Sequence, residues 1–313
     1  MTITARNYAA QARRMIGAYV QMYEDGKCGG AAEDRELELA LTRAAAEKMD
    51  SAVHFALPDG ALLFEDDLRG LRGQSLKLPY PAVTLEWYQP PSVDLSYPSK
   101  MTKFVAIAFE VTNEDFPQLE QDERAIMVMG AREHEAEWCP STAFAVIPEA
   151  WERRVLGAQQ SRADNRGKVY VWGITHYNGM VQKMGQEAAD DALDRDIATE
   201  LYTVLQFCEA MSCSNVGTEV ISGASASVNA RRLKDGKVPL LDTKVLTVHV
   251  PGATSTRIGL SRKTGEIRQH LRRGHVRNLS DGRRIWVNSC VVGNPEKGRI
   301  EKGYRVLPEA PLA

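Results

Sequence analysis

Near the start of the chain the apolar residues Ala12, Met15, Ile16, Tyr19, Val20 and Tyr23 recur at three and four, as do Leu37, Leu41, Ala45 and Met49 further on. That is the helical period, so the pattern predicts amphipathic helices over Tyr8 to Tyr23 and Asp34 to Met49, parted by the glycines between 26 and 30. Past Val53 the texture changes. Short runs rich in β-branched and aromatic residues, Leu62 to Glu65, Val83 to Tyr88, Phe104 to Val111 and Ala125 to Met129, alternate with Pro, Gly and Asp and predict an antiparallel sheet. Tyr88 to Ser99, with Pro90, Pro91 and Pro98, reads as a connecting loop.

Two more strands are expected at Ala143 to Ile147 and Val169 to Thr175, with a polar loop from Gln159 to Lys168 between their neighbourhoods. A long helix follows from Glu187 to Met211, striped by Leu193, Ile197, Leu201, Val204, Leu205 and Cys208, with Asp190, Asp191 and Asp194 towards its positive end. After a run of small residues the chain turns basic near Val228. Lys244 to Val250 reads as a strand and Thr256 to Ile267 as an irregular link. His275 to Leu279 and Arg283 to Asn288 read as a hairpin around Ser280, Asp281 and Gly282. The expected fold is α+β: residues 1–227 form an acidic domain of N-terminal helices, antiparallel sheet and long helix, and residues 228–313 a small basic β-rich domain.

Charge sharpens that division. The net charge is −2, yet residues 228–307 carry +12 and the remainder −14. Such segregation predicts an electropositive face for an acidic partner, nucleic acid first among them, or for contact between the two parts of the molecule. The five cysteines are scattered without CxxC spacing, which fits reduced thiols in a cytosolic setting. Apolar runs such as Phe104 to Phe109 fall short of the ~18–20 residues that cross a bilayer, so no membrane is expected.

The candidate chemistry concentrates in RQHLRRGHVRNLSDGRRIWV, residues 268–287, where six arginines and two histidines meet one acid. His270 and His275 are five apart, which suits neither a helical pair nor one strand face, so a metal is not expected there. A histidine beside several arginines has its proton disfavoured, which keeps alive an alternative in which His275 or His270 is the general base of a metal-independent nuclease. Anion binding needs fewer coincidences. Alternation sets His275 and Arg277 against Val276, and Arg284 and Trp286 against Ile285 and Val287, so one face packs while the other presents cations around an indole. Guanidinium groups hold phosphates bidentately and stack on base planes, which suits RNA or DNA. The expected anion-binding set is Arg268, His270, Arg272, Arg273, His275, Arg277, Arg283, Arg284 and Trp286, extended by Arg231, Arg232 and Lys234 of ARRLKDGK. The competing reading makes Trp286 core and pairs the arginines with acids of the other domain.

Other constellations carry less. AREHEAEWC, residues 131–139, reads as exposed polar strand, and Asp59 with Glu86 lacks the lysine that a two-carboxylate nuclease site needs. With no GxxxxGK[ST], GxGxxG or GxSxG, no cofactor is expected.

The blocks LKLPYPAVTLEWY, CEAMSCSNVGTEV, VNARRLKDGKVPLLDTKVLTV and RQHLRRGHVRNLSDGRRIWVNSCVVGNPEKGRIEKGYRV resemble a group of bacteriophage and prophage proteins. The last block, through His270, Arg272, Arg273, Gly274 and His275, is similar to the arginine-rich end of a type V-A anti-CRISPR family. The resemblance implies counter-defence: lowering expression of a Cas effector by recognising its nascent N-terminal peptide and causing loss of its message. Gln269 stands where that family has Pro, and Arg277 where it has a second His. The expected partners are therefore RNA, a ribonucleoprotein or a host defence protein.

Overall fold

The computed structural model describes residues 6–27, 32–61, 63, 76–89, 101–116, 119, 121, 123–149, 170–173, 177–248, 268–272, 275–287, 290–292 and 294–299. The expected polar loop at 159–168 and the link at 256–267 lie outside these residues, as do most of the run at 62–65 and all of the loop at 90–99.

The chain opens with α1 (Tyr8–Glu24) and α2 (Ala32–Ser51). β1 (Val53–Ala56), β2 (Ala82–Tyr88), β3 (Met101–Thr112), β4 (Arg124–His134), β5 (Glu137–Pro148) and β6 (Tyr170–Gly173) follow. Then come α3 (Tyr177–Met184), α4 (Gln186–Met211), β7 (Val216–Ile221), α5 (Ala226–Lys234) and β8 (Thr243–Val248). One sheet takes eight strands in the order β6-β5-β4-β3-β2-β1-β8-β7. The fold is α+β as expected, but the sheet is mixed: β1 runs parallel to both β2 and β8. The boundary expected near Val228 falls between β7 and β8, which are paired neighbours in this sheet.

Both sheet faces are covered. Phe55, Leu85, Trp87, Val128 and Ile147 meet Leu193, Ile197, Leu201, Val204 and Leu205 of α4. Val105, Ile107, Phe109, Met127 and Val146 meet Ala12 and Ile16 of α1 and Leu41, Ala45 and Met49 of α2. Double burial explains why β2, β3 and β4 read as nearly unbroken apolar runs rather than alternating ones. Each fully buried Leu, Ile or Phe contributes roughly 1.5–3 kcal/mol, so these two layers dominate the stability.

Two charged devices fasten the helices to the sheet. Arg132 of β4 donates Nε to Glu200 Oε1 at 2.7 Å and Nη1 to Asp196 Oδ1 at 2.5 Å, and also bonds the Asp196 carbonyl. Gly130 makes room for this cluster, because a Cβ there would lie 2.6 Å from Glu200 Oε1. On the opposite face Asn7 gives α1 no side-chain cap, and Glu86 of β2 supplies one by accepting the Ala9 N–H at 3.0 Å. A helix N-terminus favours an anion, yet Glu86 is 1% exposed, and desolvation pushes its pKa up to about 7.

The basic end forms β9 (Arg268–Arg272), β10 (His275–Asn278), β11 (Arg284–Val287), β12 (Cys290–Val292) and β13 (Asn294–Arg299). β10 and β11 make a hairpin, and β12-β9-β13 a small three-stranded sheet. Among the described residues no helix is long and apolar enough to cross a membrane.

Candidate functional site

The β10–β11 hairpin is where sequence and structure part. Val276 pairs with Trp286, Arg277 with Ile285 and Asn278 with Arg284. Residues directly opposite in an antiparallel pair share a face, so Arg277 lies on the face away from Arg284 and Trp286. The expected single face of cations around an indole is therefore not formed. Alternation fixes which residues share a face within one strand, whereas the register between strands is set by the turn and by what the hairpin packs on.

What it packs on is the end of α4. Arg284 is 5% exposed; its Nη2 donates to Glu209 Oε1 at 3.0 Å and its Nη1 to Ser212 Oγ at 2.6 Å. Asn215 grips the next turn of strand, accepting the Trp286 N–H at 2.7 Å and donating Nδ2 to the Trp286 carbonyl at 2.9 Å. Ser214 binds the Arg284 carbonyl through both its N–H and its hydroxyl. Arg284 thus holds a carboxylate within the protein, and Trp286 is half-buried against the same segment. Arg277 and Arg283 are exposed, the latter paired in the turn with Asp281, whose carboxyl it holds below the usual range.

Arg268, His270 and Arg272 occupy alternate positions of β9, and His275 opens β10 opposite Val287. Their side chains, and Arg273 entirely, lie outside the described residues.

ARRLKDGK, expected to extend the positive surface, is the end of helix α5 and the turn after it. Ser225 caps its start and Gly236, at φ +69, ends it; both signals are in the sequence, but the charge run masks them. No α5 residue is buried. The helix is instead tied by polar groups: Asn229 Oδ1 accepts the Leu240 N–H at 2.9 Å, and Arg232 Nε donates to the Val238 carbonyl at 2.9 Å. Arg231 and Lys234 remain exposed.

Between α5, α1 and β1 lies a groove of about 450 Å³. Arg14 spans its edge, donating to the Gly236 carbonyl at 2.9 Å, and Lys237 stands beside it. Arg13 closes on Asp50 with two bonds of 2.8 Å. His54 lines the groove and bonds Thr84 Oγ1 through Nδ1 at 2.7 Å; burial holds its pKa below the ordinary imidazole range, so it is neutral at pH 7. Arg13, Arg14 and His54 carried no signal in the sequence, since two arginines on the polar side of a helix are the usual solvated kind. Only folding brings them to Lys237.

Arg231 and Lys234 of α5, Lys237 just beyond it and Arg14, which bonds that turn, gather four cations as a lip around the end of α5, with the exposed Asp235 among them. Among the described residues no group of His, Cys, Asp and Glu could hold a metal ion. Burial pushes the Cys208 thiol to about 12 and that of Cys213 to about 11, which leaves both unreactive near neutrality. No protein-family model matches the chain, and neither a curated protein nor a solved structure matches it.

Proposed function

We propose that this protein works by binding an anionic macromolecule, whether RNA, a ribonucleoprotein or an acidic protein of a host defence system, in a phage or prophage counter-defence role. The observation that carries the binding part is the cationic lip: Arg231 and Lys234 on a helix that buries nothing, continued by Lys237 and by Arg14. The counter-defence part rests on the resemblance of the C-terminal block. Arg277 and Arg283 are further exposed cations.

RNA bound through this lip should dissociate steeply with salt, because each phosphate contact releases counterions. In a titration of the full chain with single-stranded RNA at several salt concentrations, Arg231→Glu with Lys234→Glu should weaken binding and flatten the salt slope by about 2. A slope and affinity equal to the parent's would remove the lip as the nucleic-acid site.

A second reading has its own observation. The buried Arg284–Glu209 pair supports a role for part of the basic segment in docking on the rest of the molecule. The nuclease alternative, with His275 or His270 as base, rests on side chains outside the described residues.

A further inference from the structure

We propose that the groove between α1 and the α5 turn is a binding site for a small amphiphilic anion: an apolar body seated in the groove, with a carboxylate or similar head at its cationic edge. This goes beyond the macromolecular reading: the groove shares Arg14 and Lys237 with the lip, whereas Arg231 and Lys234 are not among its described lining residues. The groove's volume, about 450 Å³, falls within the ~300–1,000 Å³ typical of small-molecule clefts. Its wall is aliphatic, made by Met49, Leu233, Val238, Pro239 and Leu241. Leu233 is 61% exposed at the lip, where an apolar ligand would cover it.

Charge chooses the head group. Asp50 is the one acid among the described lining residues, and both its oxygens are bonded to Arg13. Among the described lining residues an arriving anion therefore meets Arg14 and Lys237, while an arriving cation meets only a carboxylate already paired with Arg13. His54 is the one aromatic side chain among the described lining residues, and it is a small imidazole bonded to Thr84. The groove thus offers aliphatic surface rather than the aromatic platforms on which nucleobases stack. Its walls come from α1, from the α2–β1 junction and from the segment after α5, so a ligand bridging them raises the melting temperature by linkage.

The test is a fluorescence titration of the full chain with anilinonaphthalene sulfonate, an apolar ring system bearing one anionic head. Saturable one-site uptake is expected, displaced by decanoate but not by inorganic phosphate, and displaced several-fold less well by decanol, which has the same chain without the charge. Leu233→Asp should weaken uptake about tenfold, and Lys237→Glu about threefold to fivefold. Both side chains are exposed, so an unchanged far-ultraviolet melting curve checks that the variants fold. Arg231→Glu with Lys234→Glu, at residues outside the described groove lining, should weaken uptake less than Lys237→Glu does while weakening RNA binding more, which separates the two sites. Absence of saturation, uptake indifferent to both groove variants, or decanol competing as well as decanoate overturns the proposal. So does displacement of the dye by poly(U) RNA with none by decanoate, which would give the groove to nucleic acid.

Discussion

Glu86 pits its own burial against its service as a cap. Because folding raises its pKa from 4.5 to about 7, the folded state holds the proton more tightly than the unfolded chain does. Its contribution to stability is fully present below about 4.5 and is lost as pH rises through about 7. Glu86→Gln keeps an oxygen for the Ala9 N–H and abolishes the titration. Urea unfolding should show the variant gaining roughly 2–3 kcal/mol on the parent between about pH 5 and about pH 8; a constant difference across that range would mean the carboxyl is solvated. Gly130 makes the complementary case. With a Cβ due 2.6 Å from Glu200 Oε1, Gly130→Ala should cost about 1–3 kcal/mol in the same assay, since the Arg132 cluster has to shift to admit it. Neither role was legible in the sequence. Glu86 reads there as one carboxylate among many, and its burial comes from neighbours on other elements. Gly130 looks like any strand glycine until the long helix is laid across it.

At the scale of elements, the hairpin is docked by one buried ion pair together with the Ser214 and Asn215 bonds to its backbone. Arg284→Met alone removes the guanidinium that faces the buried Glu209 and should cost about 3–5 kcal/mol, with faster amide exchange across β10 and β11; joining it to Glu209→Met should restore most of the loss. If the single variant exchanges like the parent, the docking rests on Asn215 and Ser214 instead. The long periodic elements, α1, α2, α4 and the strands β2 to β5, are those the sequence makes readable, because their apolar stripes are set by burial. The short ones, β1, β7, α3 and α5, are not, because VHFA or VGTEVI has too few residues to show a period. The reverse between β4 and β5 was hidden for another reason. It turns on Glu135 and Ala136, both at positive φ and neither a glycine, so AREHEAEWC reads as one strand where the structure has two.

For the whole molecule, segregated charge was read correctly as a property of the chain but assigned too simply in space. Part of the basic segment turns inward onto α4, while α5 and α1 together form a positive lip that no single stretch of sequence displays. β8 also belongs to the large sheet, beside β1 from near the start of the chain. That neighbourhood dictates an order of events during synthesis. β1 and β2 are both made well before β8, so the other edge of β1 stays open until Thr243 to Val248 has been made. Non-local parallel pairing is slow, and an open edge invites pairing with the wrong chain. A nascent chain halted after Asp242 should therefore pellet in a cell-free translation, whereas the chain carried through β8 stays in the supernatant; equal solubility would mean that another segment guards that edge.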